Sequence, residues 1–192
     1  ALRTLFREGA CTFDDMEQEL HPPRPVPVYV AAMGPKTIEF AGAEADGVIF
    51  NVGASIKTLE WAMEILRKGA EKAGRDVSEI EVIAAVHSAA GQDRAMSIRR
   101  VRPLIGLFYH LAPHVLEIAG FPNEATKKTS PTNVYPDITH ALDLDEASRA
   151  TEFIPDEVVN ELALIGTPDE WVSRILMMEE LGVNHVQIRG PE

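Results

Sequence analysis

From Val26 to Ala32 the chain reads VPVYVAA, a short apolar run rich in β-formers, reached through Pro22, Pro23 and Pro25. The pattern predicts a strand buried on both faces, as in parallel sheets, with Pro27 near its start, where proline is tolerated. Gly34-Pro35 follows at once. Pro35 at a first helical position, ahead of Thr37, Ile38, Phe40 and Ala41, predicts a strand–turn–helix step. Asp46-Gly47 reads as a turn, and Gly47 to Asn51 (GVIFN) as a second buried strand. Ser55 is the expected N-cap of a helix whose apolar face is Ile56, Leu59, Ala62, Met63, Leu66 and Ala70, ending at Gly74. Ile80 to Ala90 (IEVIAAVHSAA) is a third strand, alternating at its start and apolar through its middle.

Asp93 to about Gly120 reads as a long helical stretch that Pro103 and Pro113 must kink or split. Phe121 to Tyr135, rich in Pro, Asn, Thr and Lys, reads as a loop of the kind that is often functional. Ile138 to Ala150 and Pro155 to Leu164 are further helices. Thr167 then caps a helix with Pro168 at its first position and Glu170 completing a capping box. That helix runs to Leu181, Gly182 ends it, and His185 to Arg189 (HVQIR) is a last short strand. Ala1 to Glu8 reads as the end of an amphipathic helix, with Leu2, Leu5 and Phe6 on one face and Gly9 as its stop. A chain opening in mid-helix is expected to be part of a longer fold.

Strands alternating with helices argue for parallel β/α architecture in one domain, residues 1–192. Four strands fall short of a complete (β/α)₈ barrel, which typically takes ~250 residues. A doubly wound sheet is the alternative, but no G-x-G-x-x-G phosphate fingerprint is present. Composition narrows the picture further. Net charge is -12 without any sequence-wide basic patch, so nucleic acid is not an expected partner. The single cysteine, Cys11, excludes a disulfide within the chain, which fits a reducing cytoplasm, and nothing near it suggests an activating base. No apolar run approaches the roughly 20 residues that span a bilayer, so no membrane association is expected.

One block is more specific. Val28 to Asn51 (VYVAAMGPKTIEFAGAEADGVIFN) resembles the luciferase-like monooxygenase superfamily, especially the branch that uses the deazaflavin coenzyme F420, such as methylenetetrahydromethanopterin reductases. There a strand runs into an Ala-Ala-x-Gly-Pro turn, a helix ends in Ala-Gly, and Ala-Asp-Gly-Val leads into the next strand. Ile165 to Arg189 (IGTPDEWVSRILMMEELGVNHVQIR) is similar to the segment that closes the family's barrel. The resemblance implies the C-terminal half of a (β/α)₈ TIM barrel, with the first four strands missing. It implies hydride transfer between F420 or FMN and a small organic substrate, in an enzyme expected to be homo-oligomeric at full length. An FMN-dependent monooxygenase acting with oxygen is the alternative, and so is a truncated, non-catalytic flavin-binding domain.

Candidate residues follow from strand ends. Ala31, Ala32, Met33 and Gly34 sit at the C-terminal end of a strand, the functional end in barrels. Small residues let a ligand approach the backbone, and free amides at the following helix N-terminus bind anions. The residues alone are equally consistent with a plain tight turn; the resemblance implies cofactor contact. Lys36 is either a phosphate partner or a solvated side chain. Asn51, ending the next strand beside Gly53, either hydrogen-bonds cofactor or substrate or simply caps the turn. His87, late in the third strand, faces substrate or acts as a proton donor, or is a satisfied core histidine. His110 and His114 have the i, i+4 spacing of metal-binding helices, but Pro113 interrupts them and no third ligand is in place, so no metal is expected. Asp143, Asp145 and Glu146 read as a solvated helix face, and Met177 and Met178 as core. No catalytic acid or base is assignable.

Overall fold

The computed structural model describes residues 2–121 and 144–190. Helix α1 (Leu2–Glu8) is followed by an antiparallel hairpin of β1 (Ala10–Phe13) and β2 (Met16–Glu19). Asp14 and Asp15 at its turn have φ of 53° and 62°, the paired positive values of a type I′ connection. This hairpin lies outside the sequence-based expectation, because its strands ACTF and MEQE are almost wholly exposed and show no apolar run.

The frame is parallel. Strand β3 (Tyr29–Ala32) leads through α2 (Pro35–Glu44) to β4 (Gly47–Phe50), and α3 (Ile56–Lys72) leads on to β5 (Glu81–Ala90). Helices α4 (Arg94–Leu111), α5 (Pro113–Ala119), α6 (Leu144–Ala150) and α7 (Asp156–Leu162) come next. They are followed by β6 (Leu164–Gly166), α8 (Pro168–Glu180) and β7 (His185–Arg189). β3, β4, β5 and β7 lie side by side in that order, all parallel, while β6 pairs with Ser88–Ala90 at the far end of β5. The four frame strands run across the sheet in chain order without reversal. That is barrel winding; a doubly wound sheet reverses its order at a switch point.

The two sheet faces differ. Val48, Phe50, Val82, Ala84 and Val86 are buried beneath the helices. Alternate residues Ile49, Ile83 and His87 are only partly covered and Ala31 is exposed, although Ala85 between them is buried. Strands buried on both faces were the expectation; one covered face and one partly covered face, with the middle of β5 buried on both, are the finding. In a complete barrel the second face is closed by strands across the interior, and these four have none opposite them among the described residues. Against the covered face, α2 and α3 meet backbone to backbone. A Cβ on Gly42 would lie 2.3 Å from the Leu66 carbonyl oxygen, and one on Gly69 2.2 Å from that of Glu39.

Several boundaries moved for identifiable reasons. β3 begins at Tyr29, leaving Val26 and Pro27 exposed ahead of it. Pro113 does split the long helix, whereas Pro103 is buried inside an unbroken α4. The predicted helix Pro155 to Leu164 stops at Leu162, since Leu164 pairs with β5. Ser55 takes the N-cap position, but its hydroxyl donates to Glu161 and caps nothing. The capping box forms as expected. Glu170 Oε2 accepts from the Thr167 amide at 2.7 Å, and Thr167 Oγ1 accepts from the Glu170 amide at 3.4 Å. Met178 is core, but Met177 is 48% exposed and the expectation for it is corrected. Asp145 and Glu146 are exposed on α6, with Asp145 paired to Arg99. The predicted loop beyond Phe121, the helical start at Ile138 and Asp143 lie outside the described residues.

Candidate functional site

The C-terminal strand ends form one rim. The Asn51 amide donates to the Ala32 carbonyl at 2.9 Å, so the Met33-Gly34 turn and Asn51 leave the sheet together. In this register Met33, Asn51, His87 and Arg189 all fall on the partly open face, because residues two apart share a face. His87 is the direct partner of Arg189 across β5 and β7. Three residues proposed from sequence thus meet at one mouth. Ala31 lies one layer back on the same face. Ala32 points the other way and is buried, so only its backbone takes part.

Gly34 is the N-cap of α2 and offers no side chain to cap it. Pro35 has no N–H, and the amides of Lys36 and Thr37 therefore open towards the rim without a side-chain partner. A Cβ at Gly34 would meet nothing within 4 Å, so the turn borders open space. Lys36 is exposed on that first helical turn. The Met33 carbonyl is held from the other side by His114 Nε2–H at 3.1 Å. The His114 ring is itself tilted against Trp61, with centroids 5.6 Å apart. His110 and His114 lie on different helices, α4 and α5, and His114 holds the Met33 carbonyl.

His87 is not a satisfied core histidine. Its Nδ1 is buried without a hydrogen-bond partner. Burial first, and the Arg189 charge second, push its pKa down to about 4, so the imidazole is neutral at neutral pH. An unmade bond of this kind costs about 1–3 kcal/mol, which is tolerated where a ligand completes it. Arg189 itself was not singled out from sequence, although its place at the end of a strand was the signal available. Its Nη1 donates to Asn51 Oδ1 at 3.0 Å and its Nη2 to Gln187 Oε1 at 3.1 Å.

The opposite ends of the strands serve stability. There the Tyr29 hydroxyl donates to Glu81, which His185 also contacts, and these hydrogen bonds hold the Glu81 carboxyl below its usual range, Tyr29 having the larger effect. A cleft of about 840 Å³ lies along the free flank of β3 between Leu2, Phe13, Tyr29 and Phe40, and none of the rim residues lines it. Among the described residues no helix is long and apolar enough to cross a membrane, and no three metal-ligating side chains cluster.

Known proteins resemble this chain in sequence and in fold. The chain is 30% identical over 168 residues to a 5,10-methylenetetrahydromethanopterin reductase of Methanolobus tindarius, covering 86% of this chain and 48% of the relative. It is 28% identical over 169 residues to F420-dependent glucose-6-phosphate dehydrogenase 1 of Rhodococcus jostii, covering 86% of this chain and 43% of that one. The chain therefore spans about half the length of the curated relatives it matches. Its fold is that of the coenzyme F420-dependent tetrahydromethanopterin reductase of Methanopyrus kandleri, with a TM-score of 0.72 at 23% identity over 97% of this chain and 54% of that one. The family model of luciferase-like monooxygenases matches residues 1–185. With a parallel sheet wound as in its barrels and a match along nearly its whole length, the chain belongs to the luciferase-like monooxygenase family.

Proposed function

We propose that this chain forms the C-terminal half of a deazaflavin- or flavin-dependent oxidoreductase acting on a small organic substrate, with residues 1–192 as one barrel-type domain. F420 is favoured over FMN, since the Ala-Ala-Met-Gly-Pro turn resembles the deazaflavin branch and the Rhodococcus relative is F420-dependent. The carrying observation is the convergence of the uncapped α2 N-terminus, Asn51 and His87 on one rim.

These residues fit the cofactor. Free amides at α2 suit its anionic chain, and open space at Gly34 admits it to the backbone. When bound, the cofactor supplies the hydride chemistry. The chain's own residues bind and orient. Lys36 and Thr37 amides take the anionic end, and His114 keeps the Met33 carbonyl from swinging into the site. Asn51 has its Oδ1 engaged by Arg189, leaving its amide N–H₂ as a donor. Neutral His87 offers a hydrogen bond without adding charge. A homo-oligomer of the full-length protein and a cytoplasmic location belong to the same proposal, and so does a monooxygenase activity if FMN is the group bound.

A truncated, non-catalytic role has one observation in its favour. Apolar side chains stand exposed on both flanks, Leu2 and Phe40 beside β3, and Val172, Leu176 and Met177 on α8. Such faces require covering. Titration of the chain with F420 and with FMN, followed by fluorescence quenching, separates the two. Micromolar binding of either supports the oxidoreductase proposal, and absence of both removes cofactor binding by this chain alone.

A further inference from the structure

We propose that Arg189 is the anion receptor of the mouth and takes a carboxylate or phosphate group of the substrate. The inference rests on the oxidoreductase proposal for the word substrate, but its geometry is independent. The guanidinium is held between two strands by neutral amide oxygens only, Asn51 Oδ1 from β4 and Gln187 Oε1 from β7. These partners fix its orientation without cancelling its charge. Five N–H donors in a planar fork leave capacity for a bidentate anion. No carboxylate among the described residues pairs with Arg189, whereas Arg3, Arg94, Arg99 and Arg102 each do pair with one.

Its surroundings point the same way. Between Asn51 and Arg189 the guanidinium bridges the end of β5, where His87 lies with an unpartnered buried Nδ1. The rim residues Met33, Gly34, Asn51, Val52, Gly53, His87 and Ser88 include no acidic side chain. In a chain of net charge -12, an anion needs such a local cation to enter. The cofactor's own anionic end is served elsewhere. The α2 N-terminus follows β3 at one side of the four frame strands, whereas Arg189 stems from β7 at the other side and reaches only as far as Asn51.

The test uses the full chain, wild type, R189Q and R189K, with inorganic phosphate as probe and ³¹P line broadening as readout. Saturable phosphate binding with a Kd on the order of 1 mM is expected, weakened at least about tenfold in R189Q and partly restored in R189K. F420 and FMN affinities, read by fluorescence quenching, should fall less in R189Q than phosphate affinity does, because Arg189 reaches the cofactor only through Asn51. Unsaturable phosphate binding in the wild type, or equal binding in R189Q, overturns the proposal. Loss of F420 or FMN affinity in R189Q parallel to the loss of phosphate assigns the arginine to the cofactor and also overturns it. Wild-type phosphate binding that depends on Arg189 with neither F420 nor FMN bound upholds the anion site and refutes the cofactor proposal instead.

Discussion

Glycine at position 34 distinguishes a ligand-bearing turn from a plain one. Its φ of -103° and ψ of 157° are open to any residue, and an added Cβ would meet nothing within 4 Å. Glycine is therefore not required by the free protein. In Gly34→Ala two small effects oppose each other. A stiffer unfolded chain stabilises by about 0.4–1 kcal/mol, and alanine is a poorer N-cap than glycine by roughly 1 kcal/mol. The net change in stability should lie within about 1 kcal/mol of zero. Cofactor binding should respond more strongly. If the anionic chain lies against this backbone, a methyl group displaces it at an overpacking cost of about 1–3 kcal/mol. That corresponds to roughly a 5- to 150-fold rise in Kd. Fluorescence titration with F420 and FMN gives the affinity, and urea unfolding followed by circular dichroism gives the stability of the same variant. Unchanged affinity in a folded G34A protein, beside a wild type that binds, would show that the turn does not touch the cofactor.

Three further outcomes are expected. Arg174 donates to four backbone carbonyls, those of Asn160, Ala163, Ala54 and Glu161, at 2.8–3.0 Å; Arg174→Met should lower unfolding free energy by about 3–5 kcal/mol, and a loss under about 1 kcal/mol in urea melts would contradict this. Gly42→Ala should push α2 off α3, because its Cβ would sit 2.3 Å from the Leu66 oxygen, and cost upwards of about 3 kcal/mol by the same melts, with a smaller effect if the helices slide apart freely. His87 has a folded pKa of about 4 against 6.5 for the free side chain, so the unfolded chain takes up the proton first as pH falls. Stability from this group is full above pH 6.5 and lost towards pH 4, by about 3 kcal/mol in total. His87→Phe should flatten that part of the stability profile, and a slope that persists would assign it to other groups.

Much of the architecture was legible along the chain. Apolar runs at VYVAA, GVIF and IAAV, separated by amphipathic helices, specify parallel β/α order. Pro35, Pro113 and Thr167 mark helix starts that the structure keeps. The Met33-Gly34 turn, Asn51 and His87 were visible as strand-end residues because a barrel's functional end follows from strand direction alone. Neither the β1–β2 hairpin nor β6 was visible. The hairpin strands ACTF and MEQE are almost wholly exposed and show no apolar run, and β6 exists only because Ser88–Ala90 is there to pair with it. Arg189 and His114 were equally hidden as site residues, since one acts through Asn51, 138 positions away, and the other through Met33, 81 positions away.

What the sequence determined by itself is therefore local: where the chain turns, which segments are strands or helices, and which strand ends carry small or polar residues. Only the tertiary structure decided the sheet register, and with it which side chains share a layer at the rim. It also left one sheet face open, so that His87 keeps an unpartnered nitrogen beside an arginine. The physical reason is range. Hydrophobic period and turn chemistry act over a few residues, whereas the contacts that assemble this mouth join strands and helices tens of residues apart, and no local pattern encodes their pairing.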